Sequence, residues 1–243
     1  MGQVIAVISG KGGTGKTTLS AGLAACLAAE GCRVLAVDLD VGLRNLDISL
    51  GLAQSAPLSF DELLSGAYRL EQVAPHPEIP NLYLLTAPVN DTPEEIDAAA
   101  FFALLDEVRQ LFDFCILDAP AGVGAGFYLA AHRADRVIVV ANADPASLRD
   151  GACVAGRLPE EVPAKLVVNR VSPRAYRRMK MTVDDIMDGV GLPLLGLVPE
   201  DFHVTLAAAR GRPLVLETKR GAAAACLHIA RRLLGRKMPL MRF

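Results

Sequence analysis

The sequence predicts an α/β fold: a single domain with a doubly wound, mostly parallel sheet flanked by helices. Short apolar runs rich in Val, Ile and Leu recur along the chain, and they lack the polar alternation of half-exposed strands. Such runs are typical of strands that are buried on both faces of a parallel sheet. Segments with helical periodicity separate the runs, and a sheet of this kind binds its ligand at the carboxyl ends of its strands. The predicted strands are VIAVIS, RVLAVD, LYLLT, FCILD, RVIVVAN, KLVVN and LLGLV.

Helix boundaries are predicted from capping residues. The segment KTTLSAGLAACLAAEG begins with threonines and ends at Gly31, a candidate for the left-handed residue that terminates a helix. The segment DTPEEIDAAAFFALLDEVRQLF opens with Thr92 and Pro93, and Glu94 and Glu95 place negative charge in its first turn. Further helices are predicted near residues 145–157, 183–189, 201–210 and 219–234.

Length and composition are those of one large globular domain. The chain has 243 residues, of which 52% are hydrophobic and 21% are charged, so it can bury a substantial core. The sequence contains no internal repeat or low-complexity linker, and we expect one domain over residues 1–235 and a short basic and apolar tail over 236–243. The net charge of −2 argues against a protein whose main task is non-specific binding of nucleic acid.

Targeting features indicate a cytoplasmic protein. The N-terminus MGQVIAVISG has no charged segment ahead of its apolar run and leads directly into a glycine-rich stretch, so it is predicted to be a strand and not a signal peptide. No apolar run approaches the roughly 20 residues that a bilayer-spanning helix needs. The scattered cysteines include no CxxC pair and are typical of small buried residues in a reducing compartment. They are Cys26, Cys32, Cys115, Cys153 and Cys226.

The stretch GKGGTGKT, residues 10–17, matches the phosphate-binding pattern G-x-x-x-x-G-K-[ST] in full. A predicted strand precedes it and a predicted helix follows it, which is the context that the pattern requires. Glycines let backbone N–H groups wrap around phosphates, and the following helix directs its positive end at them. Lys16 can reach the β- and γ-phosphate oxygens, and the Thr17 hydroxyl can bind Mg²⁺. The candidate nucleotide-binding residues here are Gly10, Lys11, Gly12, Gly13, Thr14, Gly15, Lys16, Thr17 and Thr18.

Acidic residues at two other strand ends are candidates for binding the metal. The strand FCILD ends in Asp118, in the position of an aspartate that binds Mg²⁺ directly or through water. The strand RVLAVD ends in Asp38, and Asp40 and Asp47 follow it in VLAVDLDVGLRNLD. Because neighbouring carboxylates repel one another unless a cation or a water network uses them, Asp38 and Asp40 are candidates for holding Mg²⁺-bound water and for orienting the attacking water. The alternatives are a turn-forming strand end at Asp118 and an ordinary solvated loop at 38–40.

Several of these stretches together resemble the MinD/ParA family of ATPases, and in particular its MinD branch. SGKGGTGKTT, with a lysine at position 11 besides the one at 16, is similar to the family's deviant phosphate-binding motif, the deviant Walker A. DLDVGLRNLDISLGL resembles the switch region of the branch, and LDAPAG resembles its acidic strand end, where ParA partition proteins more often have Pro-Pro. VVNRVSP, GLVPED and RRLLGRKMPLMRF keep the order and spacing of the branch. The resemblance covers essentially the whole chain, and it implies a P-loop fold that hydrolyses ATP with Mg²⁺ bound.

The resemblance assigns a specific task to Lys11. In the family this lysine reaches the nucleotide of a second subunit and stabilises phosphate charge there, as an arginine finger does. The sequence itself is consistent with this role of Lys11, because Lys16 already supplies a cation within its own subunit and a second cation in the same pocket would repel it. The resemblance thus implies a homodimer when ATP is bound, with Lys11, Lys16 and Asp40 as catalytic residues. A solvated loop lysine is the alternative for Lys11.

The resemblance also implies roles for residues farther along the chain. It assigns Thr17 and Asp118 to Mg²⁺, and Thr18 to phosphate. Asn169, at the end of KLVVN, resembles the adenine-reading asparagine of the family, whose amide can both donate and accept a hydrogen bond. The stretch VPED is expected to close over the base with Pro199, Glu200 and Asp201.

Partner contacts are implied by the same resemblance. The segment NADPASLRDGACV matches the place where MinD-type proteins receive MinC and MinE, and its exposed Asp150 is either a contact candidate or an ordinary surface acid. The basic run RAYRRMK, residues 174–180, could touch an anionic surface or DNA. A solvated loop is the preferred interpretation of this run, and no specific nucleic acid is expected as a partner.

The C-terminal stretch is where the sequence departs from the family. MinD-type proteins usually continue into a basic amphipathic helix that inserts into the membrane interface, whereas GRKMPLMRF is hardly two turns long and contains Pro239. The stretch predicts weak peripheral binding to the inner face of the cell membrane, which a dimer would double. Its basic and apolar residues are Arg236, Lys237, Met238, Leu240, Met241, Arg242 and Phe243.

The function that follows is an ATP-dependent dimerising switch in cell-division site selection, with slow hydrolysis that partners stimulate. Three alternatives stay open. A ParA-like protein that segregates DNA or plasmids would use the basic run and bind DNA in a strongly salt-sensitive way. A regulator of flagellar number would share the fold and the chemistry. A non-catalytic nucleotide-sensing scaffold would bind ATP and scarcely turn it over.

Overall fold

A parallel sheet forms the centre of the protein. The computed structural model describes residues 1–88 and 95–241 of the chain. In this described part, seven strands form one sheet in the order β3-β2-β4-β1-β5-β6-β7, and every neighbouring pair is parallel. All the predicted strands are confirmed. They are β1 (Gln3–Ser9), β2 (Val34–Asp38), β3 (Leu82–Leu85), β4 (Phe114–Ala121), β5 (Arg136–Ala141), β6 (Ala164–Val171) and β7 (Leu194–Pro199).

Helices cover both faces of the sheet, and each predicted helix is present. The shorter ones, α2, α3, α5, α7 and α10, escape prediction because they span too few residues to show a helical period. The helices of the described residues are α1 (Lys16–Ala29), α2 (Leu46–Ser49), α3 (Phe60–Leu64), α4 (Ala98–Leu111), α5 (Ala125–Ala131), α6 (Pro145–Ala155), α7 (Pro173–Met179), α8 (Val183–Val190), α9 (Phe202–Ala209), α10 (Leu214–Glu217) and α11 (Gly221–Leu233), with a 3₁₀ turn at Leu70–Gln72.

Two helix ends show how far capping residues are predictive. Gly31 follows α1 with a φ of 94°, the left-handed conformation that was expected of it. α4 begins at Ala98, later than its sequence pattern suggests, because the Asp97 carboxylate caps it there. This carboxylate accepts hydrogen bonds of 2.9 and 3.1 Å from two N–H groups of the first turn. The cap predicted at 92–94 lies outside the described residues.

Two apolar layers hold the helices against the sheet. Alternate residues of β1 enter different layers, Val4, Ala6 and Ile8 on one face and Ile5 and Val7 on the other. The first layer packs α4, α5, α6 and α8 on the sheet, and the second packs α1, α9 and α11. The glycine-rich loop therefore leaves from a strand that is buried on both faces, which fixes the position of the loop.

The basic run at 174–180 is mostly a helix and not the predicted solvated loop. It forms the greater part of α7, in which Tyr176 is buried in the core while Arg174, Arg177 and Arg178 are exposed. Burial of this aromatic ring anchors the segment. The charge pattern of the run gives no sign of that contact, so the sequence favours the wrong interpretation.

The C-terminal tail folds back onto the domain. Arg232 donates hydrogen bonds of 3.2 Å from Nε and 2.9 Å from Nη2 to the Met238 carbonyl, and Met241 packs against the layer of α1 and α11. Leu240 stays exposed, while the last two residues, 242 and 243, fall outside the described part. Within residues 1–88 and 95–241, no helix is both long and apolar enough to cross a membrane.

The cysteines are free thiols, and most of them are at least partly buried. Cys26, Cys115 and Cys226 are buried, as predicted, and Cys32 is partly buried. Cys153 is exposed on α6, so the prediction of a buried residue is wrong there. α6 has an outward face, and a small residue on that face needs no apolar partner.

Candidate functional site

The loop between β1 and α1 has the backbone that phosphate binding needs. Gly13 and Gly15 have φ angles of 78° and 87°, which residues with a Cβ rarely adopt. Gly15 is the N-cap of α1 and offers it no side chain, so the first N–H groups of this helix are left for an anion. Gly10 is fixed by packing, because a Cβ there would lie 2.3 Å from the Asp150 carbonyl oxygen on α6. Asp150 is therefore partly buried beside the loop and is not the exposed acid that the sequence suggests.

A buried ion pair lies next to this loop. Lys16 Nζ is 3.0 Å from Asp118 Oδ1, and the two side chains are only 8% and 1% exposed. Ser20, one turn along α1, donates a hydrogen bond of 2.7 Å to the same Oδ1 atom. Asp118 Oδ2 is also buried and has no hydrogen-bond partner within the described residues. A buried carboxylate oxygen without a partner is costly, so Oδ2 marks a position that a cation or its bound water would satisfy.

Asp38 lies beside Asp118 at the carboxyl edge of the sheet, because the two residues are register partners on β2 and β4. Its carboxylate accepts backbone hydrogen bonds from Asp40 at 2.9 Å, Asn45 at 3.0 Å and Leu46 at 2.9 Å. Burial and the nearby Asp118 charge raise the pKa of Asp38 to about 6, although these N–H groups oppose the shift. Asp38 thus shapes the loop after β2 and adds negative charge to the site.

The acidic residues fit a magnesium ion that is shared with the phosphates of a ligand. In the described part of the chain, no group of three or more His, Cys, Asp or Glu side chains is placed to hold a metal. Mg²⁺ usually takes one or two carboxylates and completes its shell with phosphate oxygens and water, so a full protein cage is not required. Asp118 offers its unpartnered Oδ2 atom, and Thr17 offers a hydroxyl in the first turn of α1. A cation would also relieve the repulsion that raises the pKa of Asp38.

Asp40 is partly buried at the same edge. Burial raises the pKa of its carboxyl, the charge of Lys16 lowers it, and the charge of Asp118 raises it. These influences place the three charged groups within interaction range of one another. The Asp40 carbonyl accepts hydrogen bonds from the N–H groups of Leu43 at 3.2 Å and Arg44 at 3.1 Å, which closes a turn after β2. The turn holds Asp40 near the loop that binds phosphate.

Lys11 is held by a partner on a different helix. Its Nζ atom is 3.1 Å from Asp144 Oδ1, and the two side chains are 39% and 44% exposed. Asp144 also caps α6 by accepting a hydrogen bond of 3.0 Å from the Ser147 N–H group. Burial raises the pKa of Asp144, but the Ser147 N–H and the Lys11 ammonium outweigh it and hold the pKa below its usual value. Lys11 is therefore accessible from solvent and separate from the buried pair.

Asn169 connects the loop to a neighbouring cavity. Its Nδ2 atom donates a hydrogen bond of 2.7 Å to the Thr14 carbonyl, so the amide keeps Oδ1 as its free acceptor. A Cβ at position 15 would lie 2.2 Å from this Nδ2 atom, so packing also requires Gly15 to be glycine. The cavity has a volume of about 260 Å³ and is partly open to solvent.

The cavity brings together residues that are far apart in the sequence. Asn169, Pro199 and Glu200 line it, together with Asp201 and Thr18. The Asp201 carboxylate accepts hydrogen bonds of 2.9 Å each from the N–H groups that follow it on α9 and at the start of α11, and so joins these helices. Sequence reasoning misses the remainder of the wall, because no motif links it to the loop. The missed residues are Leu19, Arg170, Val204, Thr205, Leu214, Ala222 and Cys226.

Sequence comparisons agree with this geometry. The family profile described as CobQ/CobB/MinD/ParA nucleotide binding domain matches residues 5–214. The chain is 38% identical over 248 aligned positions to the septum site-determining protein MinD of Synechocystis sp., covering 100% of this chain and 93% of that protein. It is 35% identical over 246 positions to the septum site-determining protein MinD of Bacillus subtilis, covering 99% of this chain and 92% of that one.

Solved structures show the same relationship. The similar chain in the MinC:MinD cell division protein complex of Aquifex aeolicus has a TM-score of 0.91 at 34% identity, and 99% of each chain is covered. The septum site-determining protein MinD of Pyrococcus horikoshii, complexed with Mg-ADP, has a TM-score of 0.83 at 28% identity, and 96% of each chain is covered. A ParA family ATPase from Chlorobium tepidum, at 20% identity, shares the fold alone. The chain therefore belongs to the MinD/ParA family of nucleotide-binding ATPases and, within it, to the MinD-like ATPases of division-site placement.

Proposed function

We propose that this MinD-like ATPase is a switch whose active form is a homodimer that assembles when ATP is bound. The observation that carries the proposal is the position of Lys11. It belongs to the phosphate-binding loop, yet it is partly exposed, pairs with Asp144, and contributes nothing to the buried pair of Lys16 and Asp118. A second copy that faces this loop would present bound phosphates to Lys11. Those phosphates carry more negative charge than one carboxylate and would attract the lysine more strongly.

ATP is the nucleotide that the site favours. Lys16 would exchange Asp118 for the β- and γ-phosphates, and the Thr18 side chain would bind phosphate at the start of α1. One N–H of the Asn169 amide is used by the loop, and its Oδ1 atom can accept a hydrogen bond from the adenine amino group. Guanine carries a carbonyl oxygen at the corresponding position, and Oδ1 cannot donate a hydrogen bond to it. Binding of Mg-ADP by the Pyrococcus horikoshii relative supports an adenine nucleotide with magnesium.

Each residue around the terminal phosphate would have a separate role in hydrolysis. Magnesium, bound by Thr17 and Asp118 and through water by Asp38, would neutralise phosphate charge. Asp40 would accept a hydrogen bond from the attacking water and orient it. Lys11 of the second copy would stabilise the charge that develops on the phosphate. Isolated protein would turn over slowly, because this cation is in place only after two copies have met.

Partner proteins are proposed to bind the ATP-bound homodimer in preference to the monomer. The Aquifex aeolicus relative is found in a complex with MinC, which supports a MinC-like partner here, and a MinE-like partner would speed hydrolysis. Asp150 is a contact candidate because its backbone touches the loop at Gly10. We place the protein in the cytoplasm, with weak binding to the inner face of the membrane through the exposed Arg236 and Leu240 of the tail. The proposal of DNA segregation has no support beyond the basic run.

Replacing Lys11 tests the proposal. Lys11→Ala is compared with Lys165→Ala, which changes an exposed lysine of β6. Light scattering after size exclusion should show a dimer of the wild type with ATP and Mg²⁺ and a monomer with ADP. The Lys11 variant should bind ATP, stay monomeric and lose about 1000-fold in hydrolysis, by analogy with the loss of an arginine finger. The Lys165 variant should behave as the wild type.

Mixing two inactive variants tests whether Lys11 acts across the dimer. Asp40→Ala keeps Lys11 but loses the carboxylate that orients water, so it should be inactive alone. A mixture of Lys11→Ala and Asp40→Ala contains heterodimers with one complete site, and hydrolysis should reappear in the mixture. An inactive mixture of two variants that each bind ATP would show that Lys11 does not act in the other subunit's site.

A further inference from the structure

One hydroxyl group is buried in the part of α1 that packs on the sheet. Residues 19–28 of this helix are all buried, and Ser20, at 0% exposure, is the only one of them with a hydroxyl side chain. A buried hydroxyl costs free energy unless it forms hydrogen bonds. Alanine, the commonest residue of this segment, avoids that cost and is the better helix former. The polar contacts of Ser20 must therefore compensate for its burial.

The Ser20 hydroxyl lies within hydrogen-bond distance of two acceptors. Its Oγ atom is 2.7 Å from Asp118 Oδ1 and 3.1 Å from the Lys16 carbonyl oxygen. A hydroxyl donates one proton, and a charged acceptor at the shorter distance forms the stronger bond. The Lys16 carbonyl, one turn earlier in the helix, would be enough to satisfy the hydroxyl, because serines in helices commonly bond to that position. The serine itself does not need Asp118, so the contact serves the carboxylate.

The main chain of Asp118 is fixed by its neighbours. Asp118 is the register partner of Val7 on β1 and of Asp38 on β2, and its carbonyl accepts a hydrogen bond of 2.9 Å from the Leu39 N–H group. The remaining freedom of this residue is rotation of its side chain. What determines the direction of the carboxylate oxygens is therefore the set of groups that bond to them.

Two groups hold the Asp118 carboxylate, and both contact the same oxygen. Lys16 Nζ and Ser20 Oγ bond to Oδ1, whereas Oδ2 has no hydrogen-bond partner among residues 1–88 and 95–241. Under the proposed function, Lys16 leaves Oδ1 for the phosphates of the nucleotide. Ser20 belongs to the buried part of α1 and carries no charge that a phosphate would attract, so its hydroxyl would stay on Oδ1.

We propose that Ser20 is a positioning residue of the magnesium site, a role that rests on the proposed binding of a nucleotide with Mg²⁺. While Ser20 holds Oδ1 of Asp118, the carboxylate keeps its orientation, and Oδ2 stays available to the cation or its bound water. Without the hydroxyl, the carboxylate would be free to rotate once Lys16 has left it. Hydrogen-bond partners that orient metal-binding carboxylates act in this way. Ser20 itself contacts neither the phosphates nor the metal in this role.

Two substitutions separate this role from the general effect of removing a buried hydroxyl. Ser20→Ala removes the hydroxyl and introduces the residue that already follows at position 21. Thr86→Val is the matched control. Thr86 is also 0% exposed, and its hydroxyl donates a hydrogen bond of 3.4 Å to the Leu58 carbonyl beside the edge strand β3. Thermal melting of both variants checks that the fold is retained.

Calorimetric titration with ADP, once with Mg²⁺ and once with EDTA, separates the metal from the nucleotide. The wild type should bind ADP more tightly with Mg²⁺ than with EDTA. Ser20→Ala should reduce this gain by about 10-fold, the size typical of losing a group that orients a metal ligand. Its Kd for ADP in EDTA should equal that of the wild type, and Thr86→Val should match the wild type in both solutions.

A second measurement tests whether Ser20 acts through Asp118. Asp118→Asn should itself reduce the gain from Mg²⁺, and adding Ser20→Ala to it should cause no further loss, because the two residues act as one unit. A further loss in the double variant would overturn the inference, and so would an undiminished gain in Ser20→Ala or an equal loss of ADP affinity in EDTA. If the wild type gains nothing from Mg²⁺, the proposed metal site fails together with the inference.

Discussion

Two lysine–aspartate pairs beside the phosphate-binding loop have nearly the same length and different environments. Lys16 and Asp118 are 3.0 Å apart, and Lys11 and Asp144 are 3.1 Å apart. The first pair is buried, whereas the side chains of the second are 39% and 44% exposed. Removal of one partner from a buried pair typically costs about 3–5 kcal/mol, while an exposed pair contributes about 0–1 kcal/mol. Burial, and not distance, decides which lysine can change its partner.

This difference assigns the two lysines to different events. Lys16 can leave Asp118 only for a group that replaces the negative charge inside the protein, as a nucleotide phosphate does. Lys11 can leave Asp144 for any suitable anion that approaches its surface, because water and salt already weaken the existing contact. Nucleotide binding would therefore engage Lys16 first, and the approach of a second copy would engage Lys11.

The largest effect is expected when the buried pair is broken. Asp118→Ala leaves the Lys16 ammonium buried without its partner, and it should lower the free energy of unfolding by about 3–5 kcal/mol in urea denaturation. The double variant Lys16→Met with Asp118→Leu replaces both charges by apolar groups and should recover most of this loss, while ATP hydrolysis stays absent. A double variant as unstable as Asp118→Ala would show that packing and not charge dominates the pair.

A change of intermediate size in the free energy of unfolding is expected when Asp38, beside the buried pair, loses its proton. Asp38 has its pKa raised from 3.8 to about 6, so the folded protein retains a proton there that the unfolded chain has already released. The stability contributed by this proton is complete below the lower value and is lost as pH rises through the higher one. At 1.36 kcal/mol per pKa unit, the total loss is roughly 3 kcal/mol.

Unfolding free energies of the wild type and Asp38→Asn between pH 4 and pH 7 measure this loss. The stability of the wild type relative to the variant should fall with rising pH, because the asparagine does not titrate. Mg²⁺ and nucleotide should reduce the slope, since a bound cation favours the charged carboxylate. A difference between the two proteins that does not vary with pH would contradict the raised pKa of Asp38.

The smallest effect on stability is expected at the exposed pair. Asp144→Asn removes the charge that holds Lys11 but can still cap α6, so the free energy of unfolding should change by less than about 1 kcal/mol. Because Lys11 is then free, the ATP-bound dimer should form at up to about 5-fold lower protein concentration in sedimentation experiments. Asp106→Asn on α4, which breaks the ion pairs of this residue with Arg109 and Arg133, is the control and should leave dimerisation unchanged. A weaker dimer of Asp144→Asn would mean that Asp144 itself contacts the second copy.

The parts of the fold that carry dense local signals could be predicted from the sequence. Buried parallel strands need continuous apolar runs, so each of the seven is visible in a few residues. The phosphate-binding loop is predictable for a similar reason, since its glycines and Lys16 are required at fixed spacing. The register of β2 and β4 then brings Asp38 and Asp118 together at one edge, as two strand ends in a parallel sheet allow.

The parts that depend on contacts between distant segments could not be predicted. Asp144 is separated from Lys11 by 133 positions, and nothing in either segment identifies the other as its partner. Ser20 follows the loop motif without belonging to it, so its hydrogen bond to Asp118 has no signal in the pattern. The left-handed Arg170 occurs in a strand of ordinary composition, because neighbouring strands and not the residue itself impose that backbone.

The contact between Asn169 and the loop also limits how this sequence can evolve. The amide of Asn169 occupies the space that a side chain at position 15 would need, and its hydrogen bond braces Thr14. An alanine at 15 would collide with the amide, and a smaller residue at 169 would leave the loop without its brace. One position precedes the first helix and the other lies near the end of the sixth strand. Because of this contact, we expect a substitution at either position to be tolerated only with a compensating change at the other.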